Sequence, residues 1–576
     1  MKLRNIAIAA AATLLTVSCG DMLDTDSSIV EFEKNNRITD VADTVYNMLG
    51  IINTMQVVAE RNALVGEVHS DLVSITDKAS ADLKALADFT ATTDNSYNRV
   101  SDYYNVINTC NNFIAKADTT LMLKGVKVFK REYVAAKVFR AWAYLQAVQL
   151  YGKLPLVTTP VYGESQAQKE MQKAPSDIKT ICSYLAEDLK PYVNERVPNY
   201  GSSIIPQSSF IPVRVMLGDL YLWADDYENA AKSYYDYLTL QEKPQPTDFM
   251  YQRWGTGSKE FTAENHPSIS SMAMGSSWYG HSEAIANIAL ESQPYYGHQS
   301  QLYYLYNSDV NHNNSYVSLT PSGQMREIFK RQHYTHLYID NNNHRDTLDG
   351  PQVDQFNDNL KYLQGDLRYR SFFTEKKVNR DEYSPYSPWV QIIGKFSTSG
   401  FNIYRKSMVY LRLAEALNRL NYPQTAMCIL KYGLCKNYIY EHIDSVERQE
   451  AARFLNWDEV KFTTTNTMGI HGHGSGYVEC DTIHYVLPQP ATALASRQDT
   501  VAYQVPLVED MIIEEMALEG ALEGNRFYDL MRVALRRDDP DYLAERVALR
   551  DGTGTPDAAL LALLRNKANW YLPLRK

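Results

Sequence analysis

Helical periodicity constrains the fold of this 576-residue chain more than any other feature of its sequence. The clearest stretch runs from Val126 to Leu150, where apolar and other large side chains recur every three or four residues. The recurring positions are Val134, Val138, Trp142, Leu145 and Gln149. Gly152 follows as a helix end signal and Pro155 as a stop, so we expect one long helix that ends at Gly152.

Two further segments resemble tetratricopeptide units, in which a small residue in one helix packs against an alanine in the next. The first unit begins at Leu217-Gly218 and reaches Ala230, and the second begins at Leu413-Ala414 and reaches Ala426. Gly218 or Ala414 lets the partner helix approach, and the later alanine fills the facing gap. Because a free-standing solenoid needs three or more repeats, we expect these two helix pairs to be embedded in a larger fold.

Residues 241–400 have weak periodicity and are rich in Tyr, Asn, Ser, Gly and Pro. Aromatic side chains cluster there, in Trp278-Tyr279-Gly280-His281, Pro294-Tyr295-Tyr296-Gly297 and Tyr303-Tyr304-Leu305-Tyr306. Loops on a rigid scaffold carry binding residues more often than the scaffold does, and a tyrosine offers a flat apolar ring with a polar tip. We therefore expect a ligand-binding region here, although packing between loop and scaffold is an equal alternative for each tyrosine.

The segment from Glu509 to Leu535 has the strongest helical pattern of the C-terminal region. Glu519 and Glu523 are four residues apart, and Arg526 lies three residues beyond Glu523. One helical face can bring both carboxylates toward one guanidinium. Gly524 and the following asparagine are expected to break or kink the helix at this point.

The N-terminus has the pattern of a bacterial lipoprotein leader. Lys2 and Arg4 precede an uncharged apolar stretch from Ile6 to Val17, which is too short to span a bilayer but matches a signal peptide. Cys19 then follows Leu-Thr-Val-Ser, as in a lipobox, so we expect residues 1–18 to be removed and Cys19 to be acylated. Several acyl chains anchor a protein stably to a membrane, and residues 19–40 would form the lipidated tether.

Composition narrows the class of partner. The formal net charge is -11 and the pI is about 5.6, which argues against nucleic acid as a partner and against electrostatic docking to anionic lipid. Hydrophobic residues make up 45% of the chain, enough for a large core. Tyrosine is unusually frequent, at 42 residues, which suits both wet interfaces and surfaces that stack against sugars.

The cysteines and histidines do not form a recognisable metal site. Apart from Cys19 there are five cysteines without the spacing of a zinc site or a disulfide framework, and we interpret Cys428 and Cys435 as buried small hydrophobic residues. His471 and His473, with Cys480 and His484 after them, are the one candidate metal cluster. A Gly-rich packing loop is the favoured interpretation, so no metal and no cofactor are expected.

Taken in order, several short motifs resemble those of the SusD/RagB-like family of outer-membrane nutrient-binding lipoproteins. They are Ser18-Cys19 with the acidic residues Asp21, Asp24 and Asp26 behind it, Tyr104-x-x-Ile107-x-x-Cys110-Asn111, Arg140-Ala-Trp-Ala-Tyr144, Leu150-Tyr-Gly-Lys-Leu-Pro155, Tyr410-Leu-Arg-Leu-Ala-Glu415, Glu523-Gly-Asn-Arg526-x-x-Asp529-Leu-x-Arg532, and Asn569-Trp-Tyr-Leu-Pro573. The matches span nearly the whole chain. Acidic residues just behind the lipidated cysteine resemble the surface-export signal of such lipoproteins.

The resemblance implies a mainly α-helical, single SusD-like domain over residues 41–576. Within it, residues 41–240 would form an N-terminal helical scaffold, residues 241–400 a loop-rich aromatic region, and residues 401–576 the C-terminal helices. It also implies a lipid-anchored location at the outer membrane, facing the cell surface. The implied partners are an oligosaccharide ligand and a SusC-like TonB-dependent transporter.

The candidate ligand-binding residues are those that offer aromatic faces or planar polar groups for sugar hydroxyls. They are Asp71, Tyr97, Asn98, Trp278, Tyr279, Tyr295 and Tyr296. The aromatic arc of starch-binding members of the family has no counterpart that we can place in this sequence. Val100 stands where a tryptophan often precedes the Tyr-x-x-Ile motif, so starch is a doubtful ligand.

We expect no catalytic residues and therefore no enzyme activity. A secreted helical glycosidase is an alternative, because such enzymes use two carboxylates that flank a cleft, and the helix at 514–532 is rich in acids. Arg526 and Arg532 among those acids favour neutralised structural pairs instead. A peptide-binding member of the same family and a tetratricopeptide-type adaptor for proteins are the remaining alternatives.

Overall fold

The helices dominate a computed structural model of the chain. It describes residues 38, 41–123, 125–201, 205–240, 253–254, 263–264, 284–290, 298, 300–306, 318–332, 334–339, 342–350, 366, 368, 373–377, 389–393, 396, 400–460, 462–464, 467–470, 480–482 and 485–574. The α-helices of these residues are α1 Val41–Val68, α2 Ala81–Ala87, α3 Val100–Lys116, α4 Lys130–Tyr151, α5 Glu164–Met171, α6 Ile178–Leu189, α7 Val213–Trp223, α8 Tyr227–Leu240, α9 Gln301–Leu305, α10 Gly323–Lys330, α11 Lys406–Arg419, α12 Pro423–Lys431, α13 Lys436–His442, α14 Ser445–Glu450, α15 Arg497–Glu519, α16 Arg526–Arg537, α17 Asp541–Ala548 and α18 Ala558–Leu564.

The β-strands are short and pair antiparallel. They are β1 Val73–Ile75, β2 Met122–Leu123, β3 Val126–Lys127, β4 Lys153–Leu154, β5 Ser176–Asp177, β6 Arg253–Trp254, β7 Ala263–Glu264, β8 Ala284–Ala289, β9 Leu319–Pro321, β10 Tyr334–Ile339, β11 Arg345–Gly350, β12 Phe373–Lys377, β13 Trp389–Ile393, β14 Gly400–Arg405 and β15 Cys480–Thr482. The expected mainly α fold class is confirmed. Residues 241–400 nevertheless hold most of the longer strands, which their weak sequence periodicity did not reveal.

Helix α4 is the central helix of the N-terminal half. Almost every side chain from Val134 to Tyr151 is buried, because α1, α3, α6 and α7 all pack around it. The predicted end at Gly152 is confirmed, with φ +76° at that residue. The predicted start at Val126 is four residues early, since Val126 and Lys127 pair with β2 in a small hairpin before the helix begins.

The two predicted helix pairs are α7 with α8 and α11 with α12. A Cβ atom on Gly218 would lie 2.2 Å from the ring of Tyr234, so the glycine does provide the space for the second helix. Asp225 and Asn421 occupy equivalent positions in the two turns, and both have positive φ, at 62° and 67°. Helix α8 packs against α11, which joins the two pairs into one scaffold.

The predicted break in the acidic C-terminal segment is confirmed. Helix α15 ends at Glu519, and α16 begins at Arg526 after a turn in which Leu522 and Gly524 have positive φ. A Cβ atom on Gly524 would lie 2.3 Å from the Cα atom of Ala63 in α1. The turn therefore brings the C-terminal helices into backbone contact with the first helix of the domain.

Cysteines lie in the core. Cys110, Cys182, Cys428 and Cys435 are buried and free, which confirms the interpretation of the last two as small hydrophobic residues. Within the described ranges, no helix combines the length and the apolar character that crossing a bilayer requires.

Candidate functional site

The connection between α1 and α3 carries three of the predicted ligand residues. Strand β1 leaves α1 and pairs with β9, which fixes the start of the connection. Ser80 then caps α2 by accepting a hydrogen bond from the Leu83 amide at 3.2 Å. Strand β9 comes directly before α10 in the chain. The pairing of β1 with β9 therefore places the start of the connection against residues that follow residue 300.

Asp71 lies at the buried start of this connection and forms an ion pair with Arg526. Both carboxylate oxygens accept hydrogen bonds at 2.8 Å, from Nε and Nη2 of the arginine. Burial lowers the pKa of Arg526, but the charge and hydrogen bonds of Asp71, together with Tyr542 and Asp529, hold that pKa above its ordinary value. Asp71 thus has a structural partner, and its predicted role in ligand binding stays a prediction.

Tyr97 and Asn98 lie at the other end of the connection and are partly exposed. Burial raises the pKa of Tyr97 above its ordinary value, so its hydroxyl remains a neutral donor and acceptor. The Asn98 amide donates to the carbonyl oxygens of Thr92 at 3.0 Å and Pro573 at 2.9 Å. Asn98 therefore ties the connection to the C-terminal tail, and its amide nitrogen is engaged within the protein.

Helix α9 presents an exposed aromatic ring beside the same connection. Glu60 of α1 holds the start of α9, since it accepts hydrogen bonds from Ser300 Oγ at 2.8 Å and from the Leu302 amide at 3.1 Å. The charge of Glu60 also acts on Tyr97, so both segments lie within electrostatic reach of one carboxylate. Tyr304 is 39% exposed on this helix.

The aromatic run at 303–306 divides between surface and core. Tyr303 and Tyr304 form an edge-to-face pair with ring centroids 5.3 Å apart, whereas Tyr306 is buried and stacks on Phe396 at 4.7 Å. Tyr304 is not among the ligand residues predicted from the sequence. Helical spacing could have indicated its exposure. Residues three apart, such as Tyr303 and Tyr306, lie on one face of a helix, whereas Tyr304 faces away from the buried Tyr306.

Four of the predicted ligand residues, Trp278, Tyr279, Tyr295 and Tyr296, lie outside the described residues. So does Cys19, together with most of the predicted tether. The roles assigned to these five residues remain predictions from the sequence.

A cleft of about 830 Å³ adjoins the tail that Asn98 holds, and we call it the Tyr571 cleft. Its lining includes the aromatic residues Phe89, Tyr151 and Tyr571, together with His69, Lys153 and Asp177. Burial lowers the pKa of His69 to about 3, so its ring is neutral at physiological pH. Phe89 has φ +56°, a strained value for a bulky residue, and its ring stacks on His69 at 4.4 Å.

The Tyr571 cleft has the size and chemistry of a ligand site. Pockets of about 300–1,000 Å³ with aromatic walls and a few polar groups are typical of small-molecule binding. Neutral tyrosine and histidine side chains suit a neutral ligand rich in hydroxyl groups. Sequence patterns did not indicate this cleft, because His69 and Tyr571 are brought together only by the fold.

A second cleft, of about 870 Å³, lies between α10, α15 and α17. Asp71 and Arg526 contribute to its lining, together with apolar residues such as Ile328 and Met511. Arg331 and Glu514 form an ion pair at its edge. Most charged groups in this cleft are paired, so it offers fewer free polar groups than its volume suggests.

The acidic residues of α15 are engaged in buried ion pairs, as the sequence favoured. Arg405 donates to Glu519 Oε1 at 3.0 Å and contacts Glu523 Oε1 at 2.8 Å. The single guanidinium between these two carboxylates is therefore Arg405, and the expectation that Arg526 fills this position is wrong. Arg526 points instead to Asp71, because the break after Glu519 turns α16 onto another face.

A second arginine, Arg368, pairs with Glu515 and also contacts Glu519. Arg368 donates to Asp366 at 2.6 Å, to Glu515 at 2.6 Å and to Glu519 at 2.9 Å, and its side chain is fully buried. Carboxylates that arginines hold inside the core are not placed to flank a substrate cleft in the manner of a glycosidase.

Metal ligation has no support in the part of the chain that the structure describes. No group of three or more His, Cys, Asp or Glu side chains there could hold a metal ion. His471, His473 and His484 lie outside the described residues, so the weak metal hypothesis for them is not tested.

Comparison with known proteins identifies the fold through structures and not through sequence. No protein-family model and no curated protein matches the chain. A SusD superfamily protein from Bacteroides vulgatus ATCC 8482 is similar, at 14% identity and a TM-score of 0.51, over 92% of this chain and 95% of that chain. One from Bacteroides thetaiotaomicron VPI-5482 gives 15% identity and a TM-score of 0.51, over 93% and 95%.

A third similar structure carries a functional description. It is a SusD-like carbohydrate binding protein from Bacteroides vulgatus ATCC 8482, with 15% identity and a TM-score of 0.50 over 86% of this chain and 84% of that chain. A helical scaffold with short antiparallel strands thus defines the class of protein. More particularly, the chain has the SusD-like fold, which confirms the resemblance inferred from the sequence motifs.

Proposed function

We propose that this protein binds an oligosaccharide at the cell surface and delivers it to a TonB-dependent outer-membrane transporter. The observation that carries the proposal is the similarity, over most of both chains, to a structure described as a SusD-like carbohydrate binding protein. Such a protein would act by holding its ligand and would not transform it.

The connection between α1 and α3 and the neighbouring helix α9 have suitable chemistry for sugar. Tyr97 and Tyr304 lie in neighbouring segments and offer partly exposed rings, and the Tyr571 cleft adds more aromatic surface. Aromatic faces stack against the C–H patches of a sugar, while neutral polar groups exchange hydrogen bonds with its hydroxyls. Binding without catalysis agrees with Glu515 and Glu519 of α15, whose carboxylates are paired with buried arginines.

Delivery and location are the parts of the proposal that rest on sequence. A lipobox at Cys19 would keep the body at the membrane, and the acidic residues behind it favour the outer surface. Replacing Cys19 by Ala should release the protein from the membrane fraction and remove the acyl mass from its N-terminal peptide. An unchanged membrane fraction would contradict the anchor without affecting the proposal of sugar binding.

Calorimetric titration with panels of host and plant oligosaccharides tests the binding itself. We expect weak binding, roughly micromolar to millimolar, that is lost when Trp278, Tyr279, Tyr295 and Tyr296 are replaced by Ala. Tyr46→Ala is the matched control, because this tyrosine is 73% exposed on α1 and is not one of the predicted ligand residues.

Other outcomes identify the alternatives. New reducing ends after incubation with glycans would mean a glycosidase. Binding of peptides but of no glycan would favour a peptide-binding role, and binding of neither, with capture of a protein partner, would favour an adaptor. Co-purification with a TonB-dependent barrel expressed from the same operon tests delivery, and absence of such a complex would contradict that step.

A further inference from the structure

The chain enters the folded domain at one end of the helical scaffold. Ile38 is buried, and its amide donates to the carbonyl oxygen of Lys116, the last residue of α3, at 3.1 Å. Helix α1 begins three residues later, at Val41. Tyr200 donates to Glu132 of the first turn of α4 at 3.0 Å, and it also hydrogen-bonds Thr44 of α1.

Three helix termini therefore meet where the chain enters: the start of α1, the end of α3 and the start of α4. The ion pair between Arg61 and Asp102 lies at the opposite end of the α1–α3 pair, which shows that the two helices run antiparallel. We call this group of termini, with the hairpin of β2 and β3 that follows α3, the entry end.

Large apolar side chains are exposed at the entry end. Met122 and Leu123 form β2 of the hairpin and are 53% and 55% exposed, and Tyr46 of α1 is 73% exposed. Each strand of the hairpin has only two residues: Met122 pairs with Lys127, and Leu123 pairs with Val126. So short a hairpin is marginally stable alone, and exposed apolar residues on it do not stabilise the domain.

The neighbouring charges resemble those of a surface that meets lipid headgroups. Lys127 is exposed on the hairpin, and Lys130 and Arg131 follow at the start of α4, where both approach Glu195. Tyrosine is favoured at membrane interfaces, and lysine can extend its charged tip to the aqueous side while its stem lies along apolar surface.

We propose that the entry end rests on the lipid surface, with Met122, Leu123 and Tyr46 inserted among the headgroups. The proposal rests on the proposed anchor at Cys19. Ile38 follows Cys19 by 19 residues, so the tether reaches at most about 65 Å when extended and roughly 25 Å as a flexible coil. An anchored body therefore keeps this end close to the bilayer for most of the time.

Apolar insertion, and not charge attraction, is the mode of contact. The chain has a formal net charge of -11, which opposes approach to an anionic surface. The contact should therefore form on neutral phosphatidylcholine and should be insensitive to salt. A purely electrostatic contact would require anionic lipid and would weaken as salt is added.

Fluorescence quenching by lipids with brominated acyl chains tests the contact. The chain from residue 19, with Cys19→Ser and an N-terminal His tag, is attached to phosphatidylcholine vesicles that contain nickel-chelating lipid, so the test does not depend on acylation. A polarity-sensitive fluorophore is placed at Leu123→Cys or, as the control, at Tyr440→Cys, which is 66% exposed on α13. Cys480→Ser is added to both, and Cys110, Cys182, Cys428 and Cys435 stay unlabelled because they are buried; burial also raises the pKa of the Cys110 thiol to about 12.

We expect several-fold stronger quenching and a blue-shifted emission at position 123, and neither at position 440. Replacing Met122 and Tyr46 by Ser in the same background should reduce the quenching at position 123 several-fold, while circular dichroism shows that the fold is kept. Equal quenching at the two positions overturns the proposal. Shielding of position 123 that needs an added transporter barrel and does not occur on lipid alone also overturns it and indicates a protein partner.

Discussion

At the scale of single residues, the buried ion pair between Asp71 and Arg526 predicts how a substitution of Asp71 changes the stability of the fold. Removing one partner of a buried pair leaves a buried charge without compensation. Asp71→Ala should therefore lower the free energy of unfolding by about 3–5 kcal/mol, measured by urea denaturation. Glu187→Ala breaks the exposed pair with Lys190 and should have little effect. A stable Asp71→Ala protein that fails to bind glycan would instead assign Asp71 to the ligand.

Glu447 gives the fold a pH dependence that can be predicted with its sign. Burial raises the pKa of Glu447 to about 7, although hydrogen bonds from the Thr425 amide and hydroxyl partly oppose this. Between pH 4.5 and pH 7 the folded state keeps a proton that the unfolded state has lost. The free energy of unfolding should thus fall as the pH rises through this range, by at most about 3 kcal/mol.

The matched variants for this test lie on the same helix. Glu447→Gln removes the titrating group and should flatten the fall in melting temperature between pH 4.5 and pH 7. Glu450→Gln, at an exposed position of α14, should keep the wild-type profile. Identical pH profiles for the Glu447→Gln and wild-type proteins would contradict the raised pKa.

At the scale of elements, the α7–α8 pair depends on the absence of a side chain at residue 218. A Cβ atom there would overlap the buried Tyr234 ring, so Gly218→Ala should lower the free energy of unfolding by about 1–3 kcal/mol. Gly50→Ala is the control, because nothing lies within 4 Å of its Cβ position on α1. That change should be neutral or stabilise by up to about 1 kcal/mol. Equal losses for both variants would contradict the close packing.

The turn between α15 and α16 combines backbone strain with close contact. Gly524→Ala would add a Cβ atom against Ala63 at a residue with φ +84°. Gly554→Ala has a similar φ of +77° with open space around it, so it measures the strain alone. We expect Gly524→Ala to lower the melting temperature clearly more than Gly554→Ala, and the difference is the contribution of the contact with α1.

Local sequence patterns predicted where helices pack and break better than they predicted which distant residues form ion pairs or pair as strands. The spacing of Gly218 and Ala230 predicted a packed helix pair, and Gly524 predicted a break, because both signals act within one or two turns of chain. Choosing Arg405 rather than Arg526 for Glu519 and Glu523 depends on residues more than one hundred positions apart. Strand β8 likewise depends on a distant partner, because it pairs with β14 more than one hundred residues later in the chain.

At the scale of the whole molecule, the first and last parts of the domain interlock. The Gly524 amide donates to Glu67 at 2.8 Å, Arg550 donates to the Ser70 carbonyl at 2.8 Å, and the Leu572 amide donates to the Leu150 carbonyl at 3.0 Å. Contacts of this kind explain why the Tyr571 cleft could not be predicted from the sequence, since its lining comes from both ends of the chain.

This interlocking predicts one cooperative unfolding transition. Ending the chain after Asn569 removes Trp570, which is fully buried, and the tail that Asn98 holds. The truncated protein should melt at a much lower temperature, by calorimetry and by circular dichroism, with N-terminal and C-terminal probes still coincident. Removing residues 575–576 is the control and should change nothing. Two separate transitions in the full chain would contradict a single unit.

The Asp71–Arg526 pair also imposes an order on folding. Its members are 455 residues apart, and a ribosome adds roughly 5–20 residues per second. For about 25–90 s after Asp71 is made, its carboxylate and the part of α1 that Gly524 contacts therefore lack their partners. If the predicted signal peptide directs export during that interval, the chain crosses the membrane unfinished, and holding chaperones would have to keep it soluble until its last helices are made.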